Sequence, residues 1–127
     1  MTETTILALY GLLVMLTILL QATGAMQQLS LGYLMSSRDE GRSVTGMTAR
    51  LERALNNSIT ALALFAPAVL LLVLSDKTSG QTLLAAQVFL AARVIYLPCY
   101  IFGLIGLRTL AWFAGFAATA LLYFLAL

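Results

Sequence analysis

The sequence contains no histidine, a single cysteine, and few charges: seven Lys or Arg and five Asp or Glu among 127 residues. Without histidine the chain lacks both the commonest general base and the commonest metal ligand. One cysteine, Cys99, excludes an intrachain disulfide and any multi-cysteine metal site, and a buried structural thiol is expected there. No metal is therefore expected. The net charge of +2 is small and dispersed, which argues against a nucleic-acid partner. The start, Met1-Thr2-Glu3-Thr4-Thr5, has no basic residue ahead of the first apolar run. A secretory signal would carry one, so the first run is expected to remain in the protein.

What the chain does have is apolar surface. Hydrophobic residues make up 61% of it, and the mean hydropathy is +0.98. A soluble globule of this size leaves too much of its area exposed to hide so much apolar material. Lipid removes that difficulty. Four runs, about residues 6–22, 54–74, 83–101 and 110–126, approach the ~20 residues that cross a ~30 Å hydrocarbon core. The first is shortest, but its helix can continue through Gln21, Gln27 and Gln28 towards Met35. The expected fold is an all-α membrane protein: one four-transmembrane-helix domain over residues 1–127.

Five basic residues, Arg38, Arg42, Arg50, Arg53 and Arg108, flank one side of these spans, and only Lys77 flanks the other. The positive-inside rule then puts both termini away from the cytoplasm. The loop at about 36–48 reads as a solvated connector, with Thr45 or Thr48 as a cap for the second helix. Pro67 should bend that helix in mid-span. Ala111, Ala114, Gly115 and Ala118 give the fourth span small residues at spacings that allow close helix packing.

The polar residues inside or beside the spans gather at the cytoplasmic end. Arg50, Arg53 and Asn57 share one face of the second helix; Arg93, Tyr96 and Tyr100 share one face of the third. Arg108 opens the fourth. Arg93 lies about eight residues inside its span, where a charge costs at least ~2.5 kcal/mol unless it snorkels or finds a partner. It either reaches the interface or backbone carbonyls, some freed by Pro98, or serves an anion in a crevice. Several guanidinium groups without matching acids favour a ligand bearing carboxylates or phosphate. The bilayer would supply a second, lipophilic ligand.

At this point the residues resemble a known family. Arg50-Leu51-Glu52-Arg53-Ala54-Leu55-Asn56-Asn57 looks like the R-x-x-R-A-x-x-N signature of the MAPEG family, the membrane-associated proteins of eicosanoid and glutathione metabolism. Ala92-Arg93-Val94-Ile95-Tyr96-Leu97-Pro98-Cys99-Tyr100 resembles that family's A-R-x-x-Y-x-x-x-Y stretch, and Arg108-Thr109-Leu110-Ala111-Trp112 the start of its fourth helix. The resemblance implies a bacterial inner-membrane homotrimer, a microsomal glutathione transferase-like protein with sites between subunits. It implies glutathione as cosubstrate, bound by Arg53, Asn57, Arg93, Tyr96 and Tyr100, with Arg50 and Thr60 as outer candidates. Arg108 would stabilise the thiolate. Thr60 stands where the family commonly carries a glutamate for the glutathione amino group, so weak glutathione binding or a different ligand is also expected.

Three functions follow from this reading. The first is a glutathione-dependent transferase or peroxidase acting on a lipophilic electrophile. The second is a membrane hydrolase of peptides with Glu52 as general base beside Arg53 and Asn57. The third is a non-catalytic binder of lipid or small anions.

Overall fold

The computed structural model describes residues 1–127. Helix α1 (Glu3–Leu29) opens on Thr2, whose hydroxyl accepts the amide of Thr5 at 3.2 Å. It runs well past the apolar run, as the glutamines allow, and stops at Ser30, where φ is 74°. A single turn, α2 (Leu31–Leu34), follows.

The next segment bonds largely to itself. Tyr33 Oη accepts the Arg42 amide at 2.7 Å, and the Arg42 guanidinium lies 4.6 Å over the same ring. Glu40 accepts from Arg42 Nε at 2.7 Å, and this bond holds the Arg42 guanidinium above its ordinary pKa. Gln28 clamps the backbone of Thr45, accepting from its amide at 2.8 Å and donating to its carbonyl at 3.1 Å. Thr45 does occupy the cap position of α3 (Gly46–Leu74), yet its hydroxyl makes no cap bond.

Helix α3 passes through Pro67 and ends in a left-handed Asp76, with φ 58°; the Lys77 amide returns to Leu72 O at 2.9 Å. Such paired C-terminal bonds satisfy carbonyls that a helix end leaves open. Helix α4 (Gly80–Ile101) starts with a reciprocal capping box between Ser79 and Thr82. At its other end the amides of Gly103 and Leu104 bond back to Tyr100 O and Cys99 O. Gly103 has φ 75°, a conformation that glycine adopts without cost. This tight stop lets α5 (Ile105–Ala126) begin at once, earlier than hydropathy indicates, so Arg108 sits in its first turn.

All secondary structure is helical, and α1, α3, α4 and α5 are each long and apolar enough to cross a membrane. The termini and the 75–79 turn share one end; loops 30–45 and 102–104 share the other, arginine-rich end. Tyr10, Phe65 and Phe89 form the central aromatic cluster, with Phe65 and Phe89 stacked at 3.9 Å. Helices gain little from apolar burial when the solvent is itself lipid, so packing and interhelical hydrogen bonds hold them. Two such bonds are Tyr10 Oη to Ser58 O at 2.9 Å and Tyr123 Oη to Leu64 O at 2.6 Å. Of the small stripe, Ala111, Gly115 and Ala118 are buried, and a Cβ on Gly115 would lie 3.8 Å from that of Ala92, whereas Ala114 is exposed on the outer face. Outward, Leu12, Met15, Leu19, Leu110, Phe113 and Phe124 are each more than half exposed, an arrangement suited to lipid or a partner and not to water.

Candidate functional site

Helix geometry brings the expected residues together because spacings of three and four stack side chains on one face. Arg93 is the centre. Only 3% of it is exposed, and it neither snorkels nor pairs with carbonyls freed by Pro98. Its Nη1 donates to Asn57 Oδ1 at 2.9 Å and its Nη2 to Ser58 Oγ at 3.0 Å. The guanidinium lies 4.1 Å from the Tyr96 ring centroid. Its Nε is buried and has no partner. Gly115 makes room for it, since a Cβ there would meet Arg93 Cδ at 3.5 Å.

Every contact that Arg93 makes is with a neutral group. Charge-assisted bonds contribute about 1.5–3 kcal/mol each, against a burial penalty of several kcal/mol for an unpaired ion. The charge itself stays uncompensated. The structure's one ion pair, Arg42 with Glu40, lies in the loop and leaves the four arginines of the helix ends without a carboxylate.

Tyr100 links two of those arginines. Arg53 Nε donates to its hydroxyl at 3.3 Å, while Arg108 stacks over its ring at 4.7 Å. The Tyr96 and Tyr100 rings lie 5.7 Å apart. The Arg108 side chain makes no hydrogen bond within the chain, so all its guanidinium donors are free. A cation in the first turn of a helix opposes the macrodipole, whose positive end adds to the same field. The start of α5 also has no side-chain cap. Anions are what such an end attracts.

Two hollows meet here. A small one of about 220 Å³ is lined by Tyr96, Tyr100, Arg108, Thr109 and Trp112. A larger crevice of about 500 Å³ runs between α3 and α5 with α4 as its floor, lined by Thr60, Leu64, Phe89 and Phe116 among others. Trp112 borders both, and Asn57 and Arg93 reach into the larger one.

The remaining sequence candidates lie at the margin. Arg50 Nη1 donates to Ile101 O at 3.2 Å and so caps the end of α4. Thr60 is exposed at the crevice, its hydroxyl donating to Asn56 O at 3.0 Å. Glu52 is exposed and bonds to neither Arg53 nor Asn57. Cys99 is a buried free thiol. Ser58 and Trp112 are the additions that sequence reasoning missed. A serine in an apolar helix commonly bonds its own backbone, and only the packed structure reveals that Ser58 serves Arg93.

Four membrane-length helices and a guanidinium cluster without acids define an integral membrane protein with a candidate anion site at one end of its bundle. The chain belongs to the MAPEG family, which it matches over residues 3–127. Membership places it among membrane proteins of the glutathione and eicosanoid metabolism type. No curated protein and no solved structure gives a match.

Proposed function

We propose that this protein is a membrane-embedded, glutathione-type thiol transferase or peroxidase acting on a lipophilic electrophile. The observation that carries the reading is the convergence of Arg53, Arg93 and Arg108 on Tyr96 and Tyr100 with no carboxylate paired to them. Arg53, Asn57, Arg93, Tyr96 and Tyr100 bind the acidic thiol; Thr60 lies beside them, and Arg50 supports them from the end of α4. Arg108, with its donors free, faces the sulfur. A fixed cation lowers a thiol pKa from about 8.5, and each unit is worth about 1.4 kcal/mol in favour of the nucleophilic thiolate.

The electrophile occupies the crevice between α3 and α5 and meets the thiol beside Trp112. In conjugation the thiolate forms a C–S bond while the leaving group departs with its electron pair. In peroxide reduction it attacks the outer oxygen, the O–O bond breaks, and the alkoxide takes a proton. The resulting sulfenic acid condenses with a second thiol to give a disulfide and water. The family resemblance adds a homotrimer in the bacterial inner membrane, with the arginine-rich end in the cytoplasm and sites between subunits. A peptidase built on Glu52 lacks geometric support, since that carboxylate points about 100° away from Arg53 on its helix.

The test is turnover by detergent-purified protein of an aryl halide or a lipid hydroperoxide, with and without glutathione. Saturable, glutathione-dependent turnover is expected, reduced about 100-fold in Arg108→Ala and retained in Glu52→Gln. Hydrolysis without thiol, lost in Glu52→Gln, would establish the peptidase instead. Tightly retained lipid without turnover would establish a lipid binder.

A further inference from the structure

Charge balance within the same site sorts its ligands further. An ammonium group donates three hydrogen bonds and accepts none, so binding it requires acceptors, preferably charged ones. The site's acceptors are all neutral, while its donors carry charge. Asn57 Oδ1 and Ser58 Oγ already accept from Arg93, and Tyr100 Oη already accepts from Arg53. The hydroxyls of Thr60 and Thr109 donate to Asn56 O and Ile105 O, at 3.0 and 2.9 Å, so their oxygens remain as acceptors, but neutral ones. What remains free is the whole guanidinium of Arg108, the Nη groups of Arg53, and the buried Nε of Arg93. No carboxylate pairs with any of them.

We propose that the polar ligand is negatively charged at every ionised group: an acidic thiol whose amino group is absent or acylated. The inference rests on the thiol reading above and narrows it. An ammonium entering this hollow meets three guanidinium charges and no counter-charge from the same subunit, which costs about tenfold or more in affinity. Glu52, the nearest acid in sequence, sits on another face of α3 and is exposed. The carboxylates of such a thiol, by contrast, find planar donor pairs suited to them.

The deciding experiment is calorimetric titration of the detergent-purified, full-length protein near neutral pH. The two probes are glutathione and glutaryl-cysteinyl-glycine, which is glutathione with its amino group replaced by hydrogen. Tighter binding of the glutaryl peptide, by about tenfold, is expected. Equal or tighter binding of glutathione overturns the inference and leaves the thiol reading standing. If neither thiol binds, the thiol reading fails, and glutarate against glutamate decides the inference. Binding of glutarate alone upholds it; equal or tighter binding of glutamate, or no binding of either, overturns it.

Discussion

Arg93 is a buried charge inside an apolar helix, and its partners, Asn57 and Ser58, are neutral. A residue that served only stability would be better replaced by an apolar one of similar length. Arg93→Met removes the buried charge but leaves Asn57 Oδ1 and Ser58 Oγ without their donor, a loss of about 1–3 kcal/mol. The two effects oppose each other. Denaturation in detergent should place the variant within about 2 kcal/mol of the parent, while its affinity for an acidic thiol falls on the order of 100-fold. A variant that is badly destabilised yet still binds would make Arg93 a structural residue. The spacing of Arg93, Tyr96 and Tyr100 made this face legible in the sequence, because helical period alone fixes it. Its partner Ser58 was not legible: it lies 35 positions from Arg93 and meets it only through packing.

At the scale of elements, the two helix ends around Gly103 decide where the site's walls stand. The Schellman stop of α4 and the immediate start of α5 bring Arg108 over Tyr100. Arg50 secures that stop by donating to Ile101 O, next to the negative end of the α4 dipole. Arg50→Ala should therefore lower stability by about 0.5–1.5 kcal/mol in a detergent melt and leave the KM for thiol within about twofold. A large rise in KM at unchanged stability would instead make Arg50 a ligand contact. Hydropathy located all four spans but not these ends. It registers apolar length, whereas the stop turns on the left-handed Gly103 and on the bond from Arg50 to Ile101 O, and Arg108 itself dilutes the apolar signal of the first turn of α5.

For the whole molecule, the broad apolar faces of α1 and α5 and the openness of the crevice fit a chain surrounded by lipid and by copies of itself. Native mass spectrometry from mild detergent should give a trimer; a monomer that retains full turnover would contradict sites shared between subunits. The thiolate is the reacting species, and ultraviolet difference absorbance reads it directly. Glutathione, or its glutaryl analogue, titrated into the purified protein should produce a saturable thiolate band that is absent in Arg108→Ala. No band at millimolar thiol, or a band unchanged in Arg108→Ala, would contradict the assignment of this arginine cluster to thiol activation.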